Sequence, residues 1–306
     1  LLSITLGILF YYLNKIIMST TETKMPKEIP PQHQDQQPGI EQKMRPQPIY
    51  DDEEAGCGKL KGKVAIITGG DSGIGRAVAV RFAKEGAEVV IVYLNEHEDA
   101  KQTAEAVKKY GKEALLIATD IAEERNCKNI VTQTLEKFDR VDILVNNAAQ
   151  QYTQEKIEDI SSEQLQKTFS VNIFSQFYLA KHCVPHMKEG SSIINTASVT
   201  AYKGNEKLMD YSATKGAIVA FTRSLSQSLI KQGIRVNAVA PGPVWTPLIP
   251  ASFDEKHVSE FGKNVEMERP AQPVEIAPSY VFLASKDGAF FSGQVLHPNG
   301  GTVINT

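Results

Sequence analysis

A chain of 306 residues with 42% hydrophobic and 23% charged residues has the apolar material for a large buried core, which excludes a fibrous or wholly disordered class. A formal net charge of −3, with no concentrated Lys/Arg cluster, removes the electrostatic ground for nucleic-acid binding and leaves small-molecule chemistry as the default. Cys57, Cys127 and Cys183 are odd in number and lack Cys-x-x-Cys or metal-like spacing, so the chain predicts no disulfide framework, no metal site and a reducing, cytoplasmic compartment.

The first thirteen residues, LLSITLGILFYYL, are apolar but shorter than the ~20 needed to span a bilayer, and they lack a basic leader and a cleavage site. They read as upstream sequence translated from a misplaced start, with Met18 or Met25 the initiator and no membrane partner; a weak anchor is the competing reading. From Pro26 to Glu54 the chain is rich in proline, glutamine and acid. Such a segment cannot offset its ordering entropy by burial of its own, so alone it is expected to be disordered or extended. The division expected is a leader and arm over residues 1–58 and one domain over residues 59–306.

Lys63 to Thr68 is an apolar, β-branched strand running into glycines at 69, 73 and 75 and a helix from about Ile74. Strand, glycine turn and helix in that order make a phosphate site, because glycine lets the backbone approach an anion that the helix amino terminus attracts. Further strands are predicted over Glu88 to Leu94, Ala114 to Thr119 and Val141 to Val145. Their alternation with helical stretches implies right-handed crossovers and a parallel sheet.

Ser161 to Met187 reads as one long helix capped at Ser161 or Ser162, with apolar stripes on two faces that predict contact with another subunit. Ile193 to Asn195 is a buried strand that places Ser198 at its carboxyl end, where open α/β sheets bind ligands. Tyr211 and Lys215, four apart on a helix beginning near Asp210, share one face. A neighbouring ammonium is expected to lower the phenol pKa from about 10 by about 1–3 units, making a proton acceptor for an alcohol. Tyr11 with Lys15 and Tyr152 with Lys156 repeat the spacing and read as helix-surface pairs; the third copy stands out through Ser198, thirteen residues before Tyr211. Arg235 to Val239 is a strand leading to Pro241 and Gly242, Leu248 to Pro270 is irregular, and GQVLHPNGG supplies a last strand. The six histidines have no metal or triad spacing, and His297 reads as structural.

In their order and spacing these motifs resemble the short-chain dehydrogenase/reductase family, in its single-domain branch, over residues 59 to 301. The resemblance implies a single-domain α/β fold with a doubly wound parallel sheet of Rossmann type, and alcohol–carbonyl interconversion by hydride transfer. Tyr211 is then the general acid/base, Lys215 lowers its pKa and holds the nicotinamide ribose, Ser198 bonds the substrate oxygen and Asn172 supports a proton relay. Cofactor contacts fall to Gly69, Asp71, Ser72, Gly73, Ile74 and Gly75, to Tyr93, Leu94 and Asn95, and to Asp120 and Ile121. Later contacts fall to Asn147, Ala148 and Ala149, where the family's glycine is replaced by alanine, and to Pro241, Gly242, Val244 and Thr246. With Glu96 and Asp71 near the ribose and Ser72 where a base could stand, NAD is expected as cofactor, with NADP the alternative. QPGIEQKMRPQP is similar to the leader of bacterial general-stress oxidoreductases of glucose and ribitol dehydrogenase type, and implies a surface-lying arm on a homotetramer. The substrate stays open among alcohols, aldehydes, ketones and sugars or polyols, with Gln150, Gln151, Val199, Tyr202 and Leu208 in the pocket. A catalytically silent cofactor-binding regulator and a membrane-attached partner protein are the competing functions.

Overall fold

The computed structural model describes residues 25–304, so the readings made on residues 1–24 lie outside it. The sheet strands are β1 Val64–Thr68, β2 Glu88–Tyr93, β3 Leu115–Ala118, β4 Ile143–Asn146, β5 Ser192–Thr196, β6 Arg235–Val239 and β7 Val295–Leu296. They form one parallel sheet in the order β3-β2-β1-β4-β5-β6-β7. Strands β1, β4, β5 and β6 are buried at every residue, as expected where helices cover both faces. The order reverses between β1 and β4, and that switch point opens a crevice at the strands' carboxyl ends.

Alternate residues feed two cores. Ala65, Ile67, Val89 and Ile91 pack with helices α1 Gly73–Lys84, α2 His97–Lys108 and α9 Pro273–Ala284. Ile66, Val90 and Leu144 point the other way, onto α3 Glu124–Phe138, α5 Ser175–Cys183 and the end of α7 Met209–Leu229. The shorter helices are α4 Ser162–Phe169, α6 Thr200–Lys203 and α8 Glu255–Glu260. The last of these orders part of the segment read as irregular, and Asp254 caps it by accepting the His257 N–H at 2.8 Å.

Ser161 does cap the predicted long helix, accepting the Gln164 N–H at 3.1 Å, but the helix is not continuous. A π turn over Ser170–Phe174 separates α4 from α5. Widening the ladder frees carbonyls, and side chains take them: Ser175 Oγ donates to Val171 O at 2.6 Å and Gln176 Nε2 to Asn172 O at 3.0 Å. Asn172, at the centre of the turn, is completely buried.

The arm does more than lie along the surface. Ile29 and Met44 are buried, and both join Trp245, Ile249, Phe253 and Val258 in a cluster outside the two sheet cores. Trp245 Nε1 donates to Pro46 O at 2.8 Å. Ile49 N–H donates to Gln272 Oε1 at 2.9 Å and Ile49 O accepts Val274 N–H at 3.0 Å. A proline-rich segment with little core of its own thus becomes ordered by borrowing apolar and polar partners from the domain.

Candidate active site

A cavity of about 680 Å³ lies at the switch point, toward the upper end of the range for ligand pockets. Its floor is the glycine loop between β1 and α1. Gly69 has φ +61° and Gly73 φ +52°, the left-handed region, and a Cβ on Gly73 would meet Thr246 Cγ2 at 3.0 Å. Gly75 touches no cavity: a Cβ there would stand 1.8 Å from Gly69 O, so its role is the close packing of loop on helix. The loop is braced from β4, where Thr68 Oγ1 accepts the N–H groups of Asn147 and Ala148 at 2.9 and 3.1 Å. Asn147 Nδ2 donates to Thr68 O at 3.0 Å.

Of the residues assigned above to cofactor contacts, Asp71, Ser72, Ile74, Tyr93, Leu94, Asp120, Ile121, Ala148, Ala149, Pro241, Gly242, Val244 and Thr246 line this cavity together with Gly69, Gly73 and Asn147. Asn95 does not: the chain turns into α2 there, leaving Asn95 exposed and bringing Glu96 to the wall in its place. Burial drives the Asp71 carboxyl up to about 7, with the charges of Glu96 and Asp99 adding to the rise. Beneath the loop, Arg76 is buried against Asp99 and the arm's Glu41, which also accepts the Gly73 N–H at 2.5 Å.

At the far end, β5 delivers Ser198 two residues beyond Thr196, and α7 delivers Tyr211 and Lys215 on one face. All three line the cavity and are buried. Ser198 Oγ accepts the Thr200 N–H at 3.1 Å, and the hydroxyl beside the Tyr211 phenol partly offsets the rise that burial causes there. Lys215 Nζ donates to Thr196 O at 2.8 Å and stands 5.2 Å from the Tyr211 ring centroid. The expected depression of the phenol is absent: burial raises Tyr211 to about 12 and lowers Lys215 to about 7. Desolvation acts on both groups, and a lysine at that distance, held on a backbone carbonyl, does not offset it.

Asn172 does not reach the cavity. Its Oδ1 accepts the Gln150 N–H at 2.8 Å, and its Nδ2 donates to Gln150 O at 2.9 Å and Thr214 Oγ1 at 3.1 Å. The side chain therefore clasps the loop after β4. Of the other expected pocket residues, Gln150, Gln151, Val199 and Leu208 line the cavity, while Tyr202 packs edge-on against His297 outside it. Sequence reasoning missed Gln37, Pro38 and Gly39 of the arm, which form part of the wall, and the only local signal for them was a Pro-Gly pair. Among the described residues no group of three or more His, Cys, Asp or Glu is placed to hold a metal ion, and no helix is long and apolar enough to cross a membrane.

This geometry agrees with comparison to known proteins. The family model described as enoyl-(acyl carrier protein) reductase matches residues 69–303. The chain belongs to the short-chain dehydrogenase/reductase family. It is 64% identical over 279 residues to the oxidoreductase YhxC of Bacillus subtilis, covering 91% of this chain and 98% of that one. It is 54% identical over 285 residues to the glucose and ribitol dehydrogenase of Daucus carota, covering 91% and 98%. Among solved structures, a short-chain dehydrogenase from Burkholderia cenocepacia J2315 in complex with NADP superposes with a TM-score of 0.75 at 30% identity, covering 79% and 98%. As a member of this family, the chain is an oxidoreductase of the alcohol–carbonyl couple.

Proposed function

We propose that this protein interconverts an alcohol and a carbonyl compound with NAD(P) as hydride carrier, using Tyr211, Ser198 and Lys215. The observation that carries the reading is the convergence of those three side chains with the glycine loop in one cavity. The residues fit a dinucleotide. Side chains are missing where a pyrophosphate would approach, and the first turn of α1 offers the Ile74 N–H, which has no acceptor within the helix. When bound, the nicotinamide accepts or returns the hydride.

The chain's own residues handle the proton. A phenol at about 12 is protonated at neutral pH and can donate to a nascent alkoxide, a stronger base, so the site as it stands suits carbonyl reduction. Ser198, which lines the same cavity beside that phenol, is assigned to hold the same substrate oxygen. Lys215, fastened to Thr196 O, is assigned to the ribose hydroxyls. Asn172 is assigned a positioning role, because its amide is wholly engaged.

NAD is the preferred cofactor in this proposal. The residues at the end of β2 and in the loop, Tyr93, Leu94, Glu96, Asp71 and Ser72, include no base to hold a 2′-phosphate, and Arg76 is already engaged by Glu41 and Asp99. The unit proposed is one domain over residues 59–306 preceded by the arm, working as a cytoplasmic homotetramer. Free thiols at Cys57, Cys127 and Cys183 favour the reducing compartment.

The reaction is tested by screening NAD and NADP against polyols and sugars, small aldehydes and small ketones. Tyr211→Phe removes the transferable proton and little volume, so turnover is expected to drop by about 100-fold or more, with NADH affinity by fluorescence titration unchanged. Activity near that of the parent would remove Tyr211 from the mechanism.

A further inference from the structure

The cavity that holds Tyr211 is also lined by a side-chain amide that makes no hydrogen bond among the described residues. Gln151 is 4% exposed and lines the cavity, yet among the described residues its side-chain amide has no hydrogen-bond partner. An amide that lines a cavity and makes no hydrogen bond to protein is free to pair with the ligand that fills the cavity. Its main chain, by contrast, is gripped. Gln37 of the arm donates Nε2 to Gln151 O at 2.6 Å and accepts the Gln151 N–H on Oε1 at 3.3 Å. The preceding residue, Gln150, is held in the same two-sided way by Asn172.

Two amide side chains, one from the π turn and one from the arm, therefore fix the N–H and C=O groups of successive residues in the loop after β4. The Gln37 Nε2 also lies 3.4 Å from Ala251 O, and Gln34 N–H donates to Pro250 O at 2.8 Å. The arm thus ties the loop to the segment that closes the cavity from the other side. An amide both donates and accepts, and so it matches a hydroxyl, which does the same. An alkyl chain in its place would leave it unpaired.

We propose that Gln151 is a specificity-determining residue that hydrogen-bonds a hydroxyl of the substrate next to the reacting carbon, and that Gln37 positions it from the arm. The substrate class is then a short polyhydroxylated aldehyde or alcohol rather than an apolar one. This rests on the alcohol–carbonyl reaction proposed above.

The test compares two three-carbon aldehydes, glyceraldehyde and propionaldehyde, in NAD(P)H-dependent reduction by the full chain. The parent is expected to favour glyceraldehyde in kcat/KM by about tenfold or more, the discrimination a hydrogen-bonding site exerts. Gln151→Leu keeps the volume and removes the amide, and it should reduce that ratio about tenfold. Gln37→Ala should raise KM for glyceraldehyde several-fold with kcat within about twofold, NADH dissociation constant and melting temperature held, and Gln37→Asn or Gln37→Glu should rescue incompletely, since neither restores both contacts. An active parent whose preference survives Gln151→Leu overturns the assignment of Gln151. A Gln37→Ala protein that loses kcat, NADH affinity and melting temperature together, or changes none of the four, overturns its positioning role. A parent that reduces neither aldehyde, nor any compound of the wider screen, overturns the reaction itself and the inference with it.

Discussion

At the scale of single residues, burial decides the electrostatics of this site more than pairing does. Asp71 has its folded pKa at about 7, against 3.8 for the free side chain, with desolvation the leading cause. Because the folded state holds its proton more tightly than the unfolded one, the cost of ionising Asp71 in the fold grows as pH rises from 3.8 to about 7 and is complete above that. Asp71→Asn should therefore raise the melting temperature relative to the parent at pH 8 and not at pH 4, read by thermal unfolding at both. In the proposed ribose site the same ionisation opposes a 2′-phosphate. The preference for NAD over NADP in Kd is expected to weaken between pH 8 and pH 6 in the parent and to change less in Asp71→Asn. A parent preference that is flat across this range would detach Asp71 from the ribose. Tyr211 and Lys215 follow the same rule, each pushed toward its neutral form by the low-dielectric surroundings.

At the scale of elements, the arm is the one that departs most from its composition. Glu41 is buried against Arg76 and the amino end of α1, and its own N–H donates to Asp99 Oδ2 at 2.9 Å. Removing the arm would leave Arg76 short of one of its two carboxylates, strip the Trp245 indole of its acceptor and expose the pocket that holds Met44. A buried charge that loses a partner costs several kcal/mol, and in a domain of this size ~1 kcal/mol corresponds to about 2–4 °C. Deletion of residues 1–54 should lower the melting temperature by about 5–10 °C in differential scanning calorimetry. Gly39→Val in the full chain should reproduce part of that loss, because a Cβ there would stand 2.4 Å from Pro247 O. No change in either protein would mean the arm's contacts carry no net stability. The π turn is the second element with a local task, since it keeps Asn172 turned inward where it can hold Gln150.

At the scale of the whole molecule, the apolar surface that the folded chain leaves uncovered bears on assembly. Phe177 is 51% exposed, Phe174 37% and Leu165 44%, and Phe177 packs at a tilt on Phe221 with ring centroids 4.0 Å apart. Ala217, Ala220 and Leu225 of α7 extend this patch beside Phe177 of α5. Small residues beside aromatic ones allow two helix pairs to approach closely, which suits a two-fold interface and the homotetramer proposed above. Phe177→Glu buries a charge in any such contact and should convert the assembly to smaller species by light scattering at micromolar concentration. A parent that is already monomeric there would refute the interface.

What the sequence determined by itself is whatever depends on short spacing. Alternation of apolar strands with helices settles a parallel sheet, and glycines at 69, 73 and 75 mark the tight turn from β1 into α1. A four-residue step on a helix puts Tyr211 and Lys215 on one face wherever the helix ends up. Strand ends moved by only a residue or two, as at β3 and β4, because fraying there is decided by neighbours in the sheet. Tertiary structure alone decided the rest. Gln37 meets Gln151 across 114 residues of chain and His33 meets Phe253 across 220, and no local pattern encodes such pairings. The break in the helix at Asn172 depends on a loop that arrives from β4, and the exclusion of Asn95 depends on where α2 begins. The signs of the Tyr211 and Lys215 shifts depend on how completely the closed cavity removes both groups from water, a quantity that exists only once the chain has folded around them.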